Sequence, residues 1–184
     1  MHDVMKLGLK LLLITAVAAL ALGLTYTLTK EPIAMQQEKA AAEARMAVLP
    51  SAQEFEPVEV DVEEYPDIKE VYAGSSDGSI VGYTIKATSK GYGGQLEVMI
   101  GINADNTIQT VKLLSHSETP GLGAKAAEPK FQEQFNLKSA AGPLEYDEIE
   151  AVTGATISSK AVLNAVNKAI GYVNDVLQAG GAAQ

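Results

Sequence analysis

Cysteine is absent from the 184 residues, and its absence removes disulfide frameworks, thiolate nucleophiles, iron–sulfur ligation and zinc–thiolate sites together. Histidine occurs only at His2 and His116, too few for a histidine metal cluster. Arginine occurs once, at Arg45. Such a chain cannot supply the phosphate contacts on which nucleic-acid affinity depends, so nucleic-acid binding is excluded. No GxGxxG dinucleotide fingerprint and no P-loop is found, and no acid–base pair suited to hydride transfer stands out. If the chain handles electrons, an organic cofactor must carry them.

What is present is unevenly charged. Residues 51–184 hold 19 acidic residues against 9 lysines, whereas residues 1–50 carry a net charge of +1. The length suits one anchor and one compact domain. From Leu11 to Leu28 there are 18 residues without a charge. Because Lys10 can snorkel, the usable apolar run begins at Leu7 and spans a hydrocarbon core of ~30 Å. A cleavable signal peptide is the competing reading, but its small-residue site at Ala19-Leu20-Ala21 lies inside the apolar run rather than after it. Lys6 and Lys10 face Lys30, Lys39 and Arg45 across the span, so positive charge nearly balances. A short N-terminus followed by a large acidic domain favours a single-pass protein of the cell (inner) membrane. Its N-terminus is then cytoplasmic and its domain lies on the outer, periplasmic side.

The expected organisation is a short cytoplasmic end and transmembrane helix over 1–30, a helical stalk over 31–50 and a domain over 51–184. The stalk is rich in Ala, Glu, Gln and Lys, opens with Pro32 near its first turn and stops before Pro50. Residues 57–72, in which valine alternates with acid, predict a first strand, and 80–94 predict another after a Gly/Ser turn. Two further β-rich runs flank the Asp105-Asn106 turn. A short helix is expected over 126–138, and a closing amphipathic helix places Val162, Val166, Ala169, Val173 and Leu177 on one face. The last six residues, 179–184, read as frayed. The fold class is therefore α+β, an antiparallel sheet packed with helices behind one N-terminal transmembrane helix.

The segment most suggestive of chemistry is Thr153-Gly154-Ala155-Thr156-Ile157-Ser158-Ser159, just before the last helix. Its plain interpretation is a helix N-cap. Gly154 and Ala155 nevertheless strip bulk from beside Thr156, and a helix beginning near Ser158 directs N–H groups toward that hydroxyl, an anion site for a phosphate. Two other segments carry close-spaced glycines: Gly91-Tyr92-Gly93-Gly94, running into Leu96–Gly101, and His116-Ser117-Glu118-Thr119-Pro120-Gly121-Leu122-Gly123. Each also reads as an ordinary tight turn.

Taken together and in this order, the three segments resemble the FMN-binding domain shared by the G subunit of the Rnf electron-transport complex and the C subunit of the sodium-translocating NADH:quinone reductase. The short length is more similar to the Rnf protein. Many members place Asp three residues before the [S/T]GAT motif, where this chain has Glu150.

The resemblance implies FMN attached through its phosphate to Thr156 by a separate flavin transferase, with Ser158 as fallback acceptor. A threonine hydroxyl without an activating base is a weak nucleophile, which agrees with attachment by another enzyme. It also implies a flavin site drawn from Thr153, Gly154, Ala155, Glu118, Thr119, Gly121, Leu122, Gly123, Lys125, Gly93 and Gly94. In that site Gly121 and Gly123 admit backbone close to the ring and Leu122 packs on its face. Thr119 bonds the ring edge, and Lys125 stabilises the reduced form. The implied function is a covalent-FMN electron carrier among the other membrane subunits of a ferredoxin:NAD⁺ oxidoreductase, with no complete active site of its own. Three rivals are a stand-alone anchored flavoprotein, a pilin-like structural protein and a binding module without a redox role. Against the pilin, Leu13 stands where a pilin has glutamate.

Overall fold

The computed structural model describes residues 2–178, and the tail read as frayed, 179–184, lies outside them. The chain divides into two compact units, Met1–Ala41 and Ala42–Gln184. Helix α1, His2–Val48, is continuous through Pro32, so the segments read separately as span and stalk form one helix. Proline has no N–H to give the carbonyl one turn earlier, and the helix proceeds without that bond.

Among the described residues this is the one helix long and apolar enough to cross a membrane. Its most apolar stretch is not buried against any other described part of the protein. The span's threonines return their hydroxyls to the backbone: Thr15 Oγ1 donates to the Leu11 carbonyl at 3.0 Å, Thr25 to Ala21 at 2.8 Å and Thr29 to Thr25 at 2.9 Å. These hydroxyls need no water, as hydrocarbon requires.

The second unit is built on a five-stranded antiparallel meander: β1 (Glu54–Val58), β2 (Ile68–Ser76), β3 (Ser79–Lys90), β4 (Gln95–Asn103) and β5 (Ile108–Ser115), adjacent in chain order. The β2–β3 hairpin turns at Asp77 and Gly78, whose φ angles of 52° and 78° belong to a turn matched to strand twist. The Asp105-Asn106 turn joins β4 to β5, with Asn106 at φ 64°.

The expected strand over 57–72 is two strands with a turn between them. Asp61 Oδ1 accepts the N–H groups of Glu63 and Glu64, and the Tyr65 N–H reaches the Asp61 carbonyl. This local bonding ends the strand pairing that alternation alone suggested. The helix expected over 126–138 is a chain of short turns: 3₁₀ at Gly123–Ala127, one α-turn at α2 (Pro129–Gln132) and 3₁₀ again at Glu133–Phe135. The final helix α3 runs Thr156–Tyr172 and continues as a π-helical turn, Val173–Gln178.

One sheet face carries Ile85, Ala87, Val98, Ile100, Ile102 and Val111, which cluster with Val162, Val166 and Ala169 of α3 and with Phe131 and Phe135. Burying an aliphatic side chain is worth ~1.5–3 kcal/mol, so this layer supplies most of the stabilisation. On the opposite face Gly74, Gly82 and Gly101 carry no side chains; a Cβ would overlap the Leu49 side chain at Gly74, the Val48 carbonyl at Gly101 and the Ile102 carbonyl at Gly82. Beside this trough Arg45 lies 4.0 Å over the Tyr72 ring and pairs with Glu70 at 3.2 Å, while Glu70 also meets Lys86 at 2.9 Å.

Candidate functional site

Three loops converge at the N-terminal end of α3. Residues 150–155 are held by two side chains. The Gln134 amide accepts the Glu150 N–H at 2.7 Å and donates to its carbonyl at 3.2 Å. Ser159 Oγ accepts the Val152 N–H at 3.0 Å and donates to the Ala155 carbonyl at 3.1 Å. Gly154 sits at φ 76°, the left-handed region that glycine enters without a Cβ penalty, and it turns the chain into the helix.

Thr156, expected just ahead of the helix, is its first residue. The preceding Ala155 is the N-cap, and no side chain among the described residues caps this end. The first-turn N–H groups therefore lack the intrahelical partners that later turns possess. Thr156 is exposed, as is Ile157 beside it, while Ser158 and Ser159 are buried.

The Gly91–Gly94 loop and the 116–123 loop meet through Glu118, a buried residue. Its Oε1 accepts the Gly93 N–H at 3.2 Å, and its Oε2 accepts from Ser158 Oγ at 2.6 Å. Its own N–H donates to His116 Nδ1 at 3.2 Å. The glycines here make room for neighbouring chain. A Cβ on Gly91 would overlap the Glu118 carboxyl, one on Gly93 the Ser117 carbonyl, and one on Gly123 both Glu118 and Ser158. Gly121, at φ 76°, has open space around it, and Gly94 adopts φ 152°. Gly123 thus makes space for the Glu118–Ser158 contact, and it also lines the cleft described next.

Between these loops and α3 lies a cleft of about 560 Å³, whose walls include Tyr92, Thr119, Leu122, Ile157 and the Thr156 side chain. That is ample for a small cofactor. Leu122, Ile157 and Tyr92 are 47%, 54% and 72% exposed, an apolar lining open to solvent. Thr153 and Lys125 do not join it; they line a separate cleft of about 380 Å³ together with Glu150, Ala151, Val152 and Phe131.

The sequence reading left Tyr92, Ile157, Gln134 and Ser159 without a site role. An aromatic between glycines and an isoleucine between two hydroxyl residues were the available signals for the first two. Gln134 and Ser159 act through contacts that no local pattern reveals.

The model of the family described as "FMN-binding domain" matches residues 91–171. The G subunit of the Na⁺-translocating ferredoxin:NAD⁺ oxidoreductase complex of Acetobacterium woodii is 41% identical, the match covering 91% of this chain and 90% of that protein. The G subunit of the ion-translocating oxidoreductase complex of Methanosarcina acetivorans is 38% identical, covering 94% and 95%. Among solved structures, Shewanella oneidensis NqrC superposes with a TM-score of 0.53 at 22% identity, covering 74% of this chain and 73% of that one. The C subunit of the Na⁺-translocating NADH-quinone reductase of Parabacteroides distasonis gives a TM-score of 0.50 at 24% identity, covering 67% and 77%. These two likenesses concern the fold.

Proposed function

The chain belongs to the family of G subunits found in Rnf-type ion-translocating oxidoreductase complexes and carries that family's FMN-binding domain, and from this premise we propose that it is a membrane-anchored electron carrier bearing one FMN. The flavin is joined through its phosphate to Thr156. The observation that carries the assignment is the exposed Thr156 hydroxyl at an uncapped helix start beside an apolar cleft.

The residues present fit this group. A phosphoester at Thr156 lies where the first-turn N–H groups and the positive end of the helix dipole favour negative charge. Tyr92, Leu122 and Ile157 offer apolar surface to a flat ring, and Thr119 offers a hydroxyl at the rim. A covalent tether also replaces the ionic affinity that a domain with so few cations cannot provide, by holding the group at high effective concentration.

FMN supplies the capacity to take up and release electrons, which none of the chain's own side chains has. The protein's part is to tether, orient and shield it from bulk water. Ferredoxin and NAD⁺ chemistry then falls to other members of the complex. Maturation falls to a flavin transferase, and helix α1 holds the chain in the cell membrane with its domain outside.

Production with a flavin transferase should add the mass of one FMN less one water to the chain, and Thr156→Ala should abolish the addition while leaving the thermal melt of the unloaded protein unchanged. An adduct located on Thr153 in the wild-type chain would overturn the assignment.

A further inference from the structure

Attachment poses a selection problem within the first turn of α3. Thr156 and Ser158 stand two residues apart and both line the same cleft. Ser159 is buried and bonded on both sides, accepting from Val152 and donating to Ala155, and Thr153 faces the neighbouring cleft. Ser158 is thus the nearest rival to Thr156. As a primary hydroxyl, serine is the less hindered type of acceptor, although Ser158 itself is buried and Thr156 exposed.

We propose that Glu118 is a specificity-determining residue that keeps Ser158 from becoming the flavin acceptor, so that the phosphoester forms on Thr156 alone. The proposal rests on the covalent reading of Thr156 given above. Two physical effects act together. The Ser158 Oγ proton is already donated to Glu118 Oε2 at 2.6 Å, in a setting where the serine is 1% and the glutamate 6% exposed. Using that proton for attachment would leave the buried Glu118 Oε2 without its serine donor, which is costly. A phosphate on Ser158 would also have to sit against the Glu118 carboxyl, and two negative charges in one buried site repel strongly. Thr156, exposed on the same turn, meets neither obstacle.

The attachment step itself is a group transfer from a flavin dinucleotide. The acceptor oxygen forms a bond to the flavin-side phosphorus and the pyrophosphate P–O bond breaks. The nucleoside monophosphate leaves, and the hydroxyl proton passes to solvent. Nothing is oxidised or reduced. Glu118 takes no part in these bonds; it decides which hydroxyl is presented.

Its partners reinforce the arrangement. The second oxygen of Glu118 accepts the Gly93 N–H, so the carboxyl cannot swing away without losing a backbone bond. A side chain at Gly123 would overlap both Glu118 and Ser158, so glycine at that position lets the pair form.

The test uses the full chain, produced with a flavin transferase and a supply of flavin dinucleotide, and maps the adduct by fragmenting the tryptic peptide that spans 139–160. Four variants are compared: Thr156→Ala, Glu118→Ala, and Thr156→Ala combined with either Glu118→Ala or Glu118→Gln. Thr156→Ala is expected to lose the adduct entirely, and the double variant with Glu118→Ala to regain one FMN adduct on Ser158. A merely structural role for Glu118 would not move an adduct from one residue to another. If that double variant fails to fold, the Glu118→Gln version, which keeps the shape and removes the charge, is read by the same criterion. An adduct on Ser158 in Thr156→Ala alone, or none on Ser158 in a folded double variant, overturns the proposal while leaving Thr156 as acceptor. A wild-type chain without an adduct on Thr156 would instead overturn the reading beneath it.

Discussion

Under the proposed function, Leu122 separates two tasks of the cleft, holding the ring and holding the phosphate. Its side chain is part of the apolar wall, and its δ2 carbon lies 3.5 Å from where a Cβ on Gly154 would be. It bonds to nothing that a phosphate would touch. Leu122→Asp is therefore expected to leave the mass of the loaded chain unaltered while broadening the visible flavin spectrum and shifting its midpoint potential. Unchanged spectrum and potential would remove Leu122 from the site. The glycine-rich segments were legible as motifs because each is short and contiguous. Glu118 was named with them, but the contacts by which it joins them were not legible. Glu118 reaches Gly93 across 25 positions and Ser158 across 40, and no periodicity links residues so far apart in sequence. Lys125 illustrates the converse, since nearness in sequence to Gly123 did not bring it into the same cleft.

The start of β2 is tied to α3 by an ion pair, Lys168 Nζ to Asp67 Oδ2 at 2.9 Å, and Lys168 also donates to the Thr88 carbonyl at 3.2 Å. The hydrogen bond and charge of Lys168 hold the Asp67 carboxyl below its ordinary pKa, against a smaller opposing effect of burial. Because the folded state binds this proton less readily than the unfolded state, the pair stabilises above the ordinary aspartate value of about 3.9 and is lost as pH falls through the lower folded value. Both side chains are more than a third exposed, so screening limits the contribution to ~1 kcal/mol or less. Asp67→Asn should lower the melting temperature of the full chain in detergent slightly at neutral pH, and the difference from wild type should begin to close as pH falls below about 3.9 and disappear below the lower folded value. A difference that grew on acidification would contradict the sign. Helix α3 was legible at this level because its apolar positions recur with helical spacing, and so were β3, β4 and β5. The 57–72 segment misled because valine–acid alternation continues past Val58, whereas Asp61 turns its side chain onto the backbone and stops the ladder. The 126–138 segment misled because it does have buried apolar residues, Phe131 and Phe135, but they are mounted on successive turns rather than on one helix.

At the scale of the whole molecule, the short N-terminus and the large acidic domain that follows it set the expectation for topology, since the positive charges flanking the span nearly balance. Residues 51–184 have 19 acidic residues against 9 lysines, and no other described segment rivals α1 as a membrane span. With the N-terminus inside, protease added to intact spheroplasts should remove the domain and leave the first residues protected. Digestion confined to inverted vesicles would reverse the orientation and the side on which electrons are exchanged. The anchor was readable from its apolar run and the overall α+β class from alternation and helical periodicity; the continuity of α1 through Pro32 was not, because proline is as common at a helix start as it is rare within one. The open start of α3 has a consequence for the life of the protein in the cell. A helix that lacks a cap forfeits ~1 kcal/mol, and a phosphoester on Thr156 would supply what the side chains do not. The loaded chain should therefore melt several degrees above the unloaded Thr156→Ala chain. A difference of that size alters the steady-state fraction unfolded enough to change abundance several-fold. Cells lacking the transferase would then accumulate less of this protein at equal synthesis, so that proteolysis acts as inspection, clearing copies that never received their flavin.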